Sequence, residues 1–131
     1  MVARKKLKLE KPLTEVELEL MNVIWSIESP CTVKDVQLAL PAERDLAYTS
    51  VATIMKILEQ KGALEIQKSE RTHSYSPCLS RGDYETISLR HLSQNVFQGN
   101  PNTMVMRLLD DSDLSKKEIE TIRQILERNS K

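Results

Sequence analysis

Apolar residues along this 131-residue chain recur first at helical spacing, then in alternation, then at helical spacing again. Val16, Leu20, Val23, Ile24 and Ile27 make the apolar face of a first helix, with Leu18, Met21 and Trp25 beside it. Thr14 and Glu17 stand at capping-box spacing at its start. Glu28-Ser29-Pro30 ends it, because a residue before proline is pushed out of the helical region. Thr32 can cap a shorter second helix with Val33, Val36 and Leu40 turned inward, and Pro41 closes it. A third helix, Tyr48 to Lys61, carries Val51, Ile54, Met55 and Leu58 at i, i+3, i+4, i+7. Gly62 follows, where a left-handed residue terminates a helix.

From Leu64 the period falls to two. Leu64-Glu65-Ile66-Gln67-Lys68 reads as a strand, Ser69-Glu70-Arg71-Thr72 as a polar turn, and His73-Ser74-Tyr75-Ser76-Pro77 as the returning strand. Three helices and a β-hairpin predict a winged helix-turn-helix.

Helical spacing then resumes. Ser80 with Asp83 caps a helix bearing Tyr84, Ile87, Leu89, Leu92, Val96 and Phe97, which Gly99-Asn100-Pro101 breaks. Pro101 suits the first turn of the next helix, which holds Met104, Val105, Leu108 and Leu109. After the acidic loop 110–113, Ser115 and Glu118 form another capping box, and Ile119, Ile122, Ile125 and Leu126 line the last helix. The fold class is therefore mainly α with a small β-hairpin wing. Residues 1–11 form a basic tail, 12–79 the winged helix, and 80–131 a helical dimerisation domain. Three short helices in about 50 residues bury little surface alone. Their stripes must pack on the winged helix or on a second copy. Two half-sites one DNA turn apart need two linked recognition helices, which favours a homodimer built on Leu92, Val96, Met104, Val105, Leu108, Leu109, Ile119, Ile122 and Leu126.

Composition narrows the class. Charged residues make up 29% and mean hydropathy is −0.40, as in a soluble globular protein. No apolar run approaches the roughly 20 residues of a membrane span, and the lysine-rich N-terminus lacks an apolar signal region. Cys31 and Cys78 form no metal-type pair. A cytoplasmic protein without membrane insertion is expected. Lys and Arg balance Asp and Glu at 19 each, which at first argues against nucleic acid. The distribution matters more. Arg4, Lys5, Lys6, Lys8 and Lys11 crowd the tail, acids gather at Glu15, Glu17 and Glu19, and Lys34, Arg44, Lys56, Lys61, Lys68 and Arg71 fall mostly on the second and third helices and the hairpin.

Catalytic signatures are missing: no Gly-rich phosphate loop, no His-Glu-x-x-His, no Gly-x-Ser-x-Gly. Each of the three glycines, Gly62, Gly82 and Gly99, sits at a helix boundary where a backbone role accounts for it. His73, His91, Cys31 and Cys78 lack ligand spacing, and 110–113 lacks the glycine and terminal glutamate of a calcium loop. No enzyme, metal or cofactor is expected.

Candidate chemistry concentrates on the third helix. Thr49, Ser50 and Thr53 carry hydroxyls that can reach phosphates or base edges in a major groove; the plain alternative is a cap and two exposed side chains. Lys56 is a phosphate contact or a solvated lysine. Tyr48 meets the DNA backbone or fills a gap between helices. Arg71, flanked by Lys68 and Thr72, lies at the wing tip, where arginine suits backbone or minor groove.

These stretches resemble the penicillinase-repressor and methicillin-resistance-repressor family of bacteria (BlaI/MecI/CopY). The likeness rests on Leu13-Thr14 through Val23-Ile24-Trp25, Leu46-Ala47-Tyr48-Thr49-Ser50-Val51 through Lys61-Gly62-Ala63-Leu64, and Tyr75-Ser76-Pro77. Asn102-Thr103-Met104-Val105 with Leu114-Ser115 and Glu118-Ile119 completes it. The resemblance implies a homodimeric transcriptional repressor that binds a pseudo-palindromic double-stranded operator. In better-known members a membrane sensor protease leads to cutting of the repressor. The matching bond here is His91-Leu92, where methicillin-type members have Asn-Phe. The paired cysteines of the copper-responsive branch are absent from the C-terminal residues. Two other readings remain: a winged-helix module that binds protein, and a metal- or redox-responsive regulator using Cys31 and Cys78.

Overall fold

The computed structural model describes Leu9 and residues 11–130; Arg4, Lys5, Lys6 and Lys8 of the basic tail lie outside the described residues. Six helices and one hairpin follow in order: α1 (Glu15–Ser26), α2 (Val33–Ala39), α3 (Tyr48–Gln60), β1 (Leu64–Lys68), β2 (His73–Pro77), α4 (Arg81–Asn95), α5 (Pro101–Asp111) and α6 (Lys116–Asn129). The chain forms two compact units that divide between His91 and Leu92, inside α4.

The first unit is a winged helix. Its core joins Leu20, Met21 and Ile24 of α1, Val36 of α2, Val51, Met55 and Leu58 of α3, and Leu64 and Tyr75 of the wing. The β-strands are antiparallel, with Leu64 opposite Pro77 and Ile66 opposite Tyr75, so these four share one face. Cys31 extends the hairpin by one residue: its N–H reaches the Tyr75 carbonyl at 2.9 Å, and the Tyr75 N–H reaches its carbonyl at 2.7 Å. Gly62 closes α3 at φ +87°, a left-handed conformation only glycine adopts without strain.

The inner face of α1 is rotated from the expected one. Met21 is fully buried while Val16 and Val23 are only partly so, and Glu17 lies inside the core rim at 7% exposure. A buried carboxylate is tolerated because all its needs are met. Glu17 accepts from the Thr14 amide at 3.0 Å and from the Lys61 ammonium at 2.7 and 2.8 Å through its two oxygens.

The division at His91–Leu92 falls later than the expected start of the helical domain at residue 80, because the first turns of α4 belong to the winged-helix core. Tyr84 is buried, and its hydroxyl accepts from the Leu13 amide at 2.9 Å. Trp25 lies 5.9 Å from the Tyr84 ring, donates its indole N–H to the Leu79 carbonyl at 3.0 Å, and carries the Arg81 guanidinium 4.9 Å above its ring.

In the second unit α4 ends at Asn95, so Val96 and Phe97 stand in the turn rather than on the helix. Gln98 and Gly99 take φ of +53° and +79°, and the Gly99 amide closes on the Ser93 carbonyl at 2.8 Å. Asn100 then caps α5 through the Thr103 amide at 3.2 Å, with Pro101 in the first turn. Ser115 and Glu118 form the expected capping box on α6. Gly82 departs from expectation: its φ is not left-handed, and an added Cβ would meet only Ser80 Oγ, at 3.8 Å. No backbone requirement explains it.

Candidate nucleic-acid interface

The outward face of α3 is built by its inward one. Val51, Met55 and Leu58 anchor the helix on α1, α2 and β1. Thr49, Thr53 and Lys56, at i, i+4 and i+7, thereby emerge on the opposite side, all exposed. Ser50 and Tyr48 flank this row and are exposed too, Tyr48 by about half. Tyr48 therefore fills no interhelical gap. The turn entering α3 is held from both sides. Gln37 donates its side-chain amide to the Leu46 carbonyl at 3.2 Å, and Arg44 Nε lies 2.8 Å from Glu19 Oε2.

The start of α3 differs from the other helices. Thr14, Thr32, Asn100 and Ser115 cap α1, α2, α5 and α6, and Ser80 with Asp83 does so for α4. Residue Ala47 occupies that place in α3 and supplies no side-chain acceptor. Neither Thr49 nor Ser50 is consumed as a cap. The first amides of α3 thus receive no side-chain cap at the positive end of the helix dipole, an arrangement that suits a phosphate.

The wing turn is tied by the Ser69 amide and hydroxyl, both donating to the Thr72 carbonyl, at 3.0 and 2.6 Å. Lys68, Arg71 and Thr72 are exposed around it. Acids on α1 sort the basic residues. Glu17 takes Lys61 and Glu19 takes Arg44, whereas Lys34, Lys56, Lys68 and Arg71 are exposed with no ion pair among the described residues. Zero net charge thus coexists with unneutralised cations on α2, α3 and the wing. One further exposed polar residue shares this surface: Gln60, eleven residues after Thr49 on the same helical face. The i+11 spacing of Gln60 was available in the sequence.

Other candidates separate from this surface. Cys31 is 1% exposed, and burial, with a smaller push from the Asp35 charge, raises its thiol above the ordinary range. Such burial shields the Cys31 thiol, which counts against it as a redox sensor, whereas Cys78 is half-buried. No group of three His, Cys, Asp or Glu among the described residues could hold a metal ion. No helix of the described chain is long and apolar enough to cross a membrane. His91 and Leu92 are helical residues of α4, the first half-buried and the second 40% exposed.

The residues expected to dimerise are open in the single chain. Val96, Leu108 and Leu126 are each more than 60% exposed, Leu92, Val105, Leu109 and Ile119 about 40%, and Met104 and Ile122 are half-buried. Neither α5 nor α6 has a buried residue. An apolar groove of about 470 Å³ lies between them, lined by Leu109, Leu114, Ile119, Ile122 and Leu126 with Arg123 at its edge.

Comparison with known proteins covers most of the chain. The family profile for penicillinase repressors matches residues 13–128. The penicillinase repressor of Bacillus licheniformis is 30% identical over 117 residues, 89% of this chain and 91% of that protein. The methicillin resistance regulatory protein MecI of Mammaliicoccus sciuri is 24% identical over 88% of this chain and 94% of its own. A solution structure of the DNA-binding domain of the repressor BlaI superposes with a TM-score of 0.49 at 30% identity, covering 61% of this chain and 93% of that one. A monomeric Bacillus licheniformis BlaI bound to the blaP half-operator gives 0.47 at 29% identity, over 57% and 90%. With nearly its whole length matched, this chain belongs to the penicillinase repressor family.

Proposed function

We propose that this protein is a transcriptional repressor that occupies a pseudo-palindromic operator as a homodimer. The observation that carries the reading is the exposed row Thr49, Thr53 and Lys56 on the third helix of a winged helix, with an uncapped helix start and unpaired cations beside it. Thr49, Ser50 and Thr53 read base edges in the major groove, and Tyr48 and Lys56 hold phosphates. Lys68, Arg71 and Thr72 meet the flanking backbone from the wing. The Bacillus licheniformis relative is a penicillinase repressor and the Mammaliicoccus sciuri relative a methicillin resistance regulatory protein, which agrees with this assignment.

The second copy covers the open faces of α5 and α6. Apolar rows exposed on two successive helices, with no buried residue on either, are what an unpaired half of a helical interface presents. Release follows from losing that interface. A cut at His91–Leu92 falls at the division between the two compact units and severs the winged helix from α5 and α6. A protease must first unwind the last turn of α4 there, because the bond is helical.

Selecting duplexes from a random library and following binding by gel shift tests the assignment. Lys56→Ala should weaken binding to all sequences and reduce the salt slope by about one; Thr49→Ala should reduce preference for the selected duplex with dimerisation intact. Equal affinity of both variants and the parent for the selected duplex sinks the reading.

A further inference from the structure

The three hydroxyls on α3 are not equivalent. Thr53 Oγ1 donates its only proton to the Thr49 carbonyl one turn back, at 2.9 Å. A hydroxyl has one proton and two lone pairs, so Thr53 then offers the groove lone pairs and a methyl group. Among the described residues, Thr49 and Ser50 make no side-chain hydrogen bond within the protein, so both keep a proton to donate. Thr121 on α6 makes the same internal bond to the Lys117 carbonyl. Back-bonding is thus a local property of threonine in an exposed helix; the place of Thr53, at the centre of the α3 row, gives it consequence.

We infer that Thr53 is a specificity-determining acceptor: it selects a base that presents an exocyclic amino group in the major groove, adenine through N6 or cytosine through N4, and disfavours a carbonyl or N7 at that point. The major groove shows amino donors only on adenine and cytosine, while guanine and thymine turn acceptors toward it. A lone pair facing an acceptor repels and leaves both groups unsatisfied. For Thr53 to read guanine or thymine by donation, it would have to give up the Thr49 carbonyl. Thr49 and Ser50, whose protons are free, can accept or donate and discriminate less sharply. The inference rests on the proposed operator binding and adds the class of base edge that one residue reads.

The test uses the full-length protein and the duplex it enriches most from a random library. Each adenine or cytosine in a half-site is replaced in turn by purine or 2-pyrimidinone, which lack the amino group. One such replacement should cost the wild type about three- to tenfold in affinity. The Thr53→Val variant, which keeps the shape and loses the acceptor, should bind the natural duplex more weakly by a similar factor and be indifferent to that same replacement. Thr53→Ser, which keeps the hydroxyl, should restore the dependence. If Thr53→Val responds to every replacement as the wild type does, or if only removing a guanine or thymine acceptor couples to Thr53, the inference is overturned while operator binding stands. No enrichment of any duplex overturns the DNA-binding reading, and the inference with it.

Discussion

The two units of this chain solve the burial problem differently. In the first, helices of 7 to 13 residues surround side chains such as Leu20, Ile24, Val51 and Leu58, none with exposed surface. In the second, α5 and α6 are as long and as regularly patterned, yet neither buries a residue. The same sequence rule, an apolar stripe at helical spacing, produces a closed core in one and an open face in the other. Periodicity reports that a face will be covered; it does not say by what.

The largest test of that contrast is to spoil the open face. Leu126→Glu, alone or with Leu108→Glu, places charge where a second copy is proposed to pack. Analytical ultracentrifugation should show monomers. Binding to a duplex with two half-sites should fall by about 10²- to 10⁴-fold as the avidity of paired recognition helices is lost, with binding to a single half-site unchanged. A dimer that survives both changes places the interface elsewhere.

The closed core should respond in the opposite way. Leu20→Ala removes a side chain with no exposed surface and should cost about 2–5 kcal/mol in urea unfolding of the first unit. At protein concentrations well above the dimer dissociation constant and low denaturant, self-association should persist. Loss of dimers in step with loss of the winged-helix fold would mean that the units are not separable in this sense.

Two capping boxes sharpen the comparison further. Thr14-x-x-Glu17 and Ser115-x-x-Glu118 have the same signature and the same reciprocal bonds. Burial pushes the Glu17 carboxyl up, but the bond from Lys61, the Thr14 amide and the Lys61 charge outweigh it and hold it below the usual value near 4.5. Glu118 is also lowered, by the Ser115 amide and hydroxyl, but is fully exposed. A carboxyl lowered in the folded state contributes stability that is complete above its unfolded pKa and disappears as pH falls through the folded one. Glu17→Gln should therefore destabilise the first unit by about 1–2 kcal/mol near pH 7. Wild-type and variant curves should converge as pH falls through the lowered folded pKa of Glu17. The half-exposed Lys61 ammonium limits the loss to this size. Parallel curves through the acid range would show that the carboxylate is not the source.

Residues legible in the sequence were those with local causes. Capping boxes, the Gly62 terminator, the Asn100–Pro101 restart and the switch from helical to strand period all act within a few residues, and the structure has each of them. The exposed α3 face was readable for the same reason, as the complement of its apolar stripe. What escaped depends on distant partners. Glu17 read only as a capping-box residue in an acidic cluster because Lys61 lies 44 residues away. Arg44 and Lys61 looked available for DNA because the α1 acids that hold them were not yet neighbours. Tyr84 looked like part of the second domain until its hydroxyl met Leu13, 71 residues earlier.

The smallest test sets one substitution against itself in the two units. Gly82 lies in the first turn of α4 with an ordinary helical φ and space for a Cβ; Gly99 lies between α4 and α5 at φ +79°. Gly82→Ala should stabilise by about 0.4–1 kcal/mol, by narrowing the unfolded ensemble without native cost. Gly99→Ala also has room, since nothing lies within 4 Å of the added carbon. It nonetheless forces a side chain into the left-handed region, and should cost about 1 kcal/mol. Thermal melts of the two variants should thus shift in opposite directions. The Gly99 change strains the turn that joins α4 to α5, where the residues proposed to dimerise begin, so its cost should also appear as weaker self-association. A Gly99→Ala protein that melts and dimerises like the wild type would show that this turn can be rebuilt without its left-handed residue, and that the spacing of α4 and α5 does not depend on it.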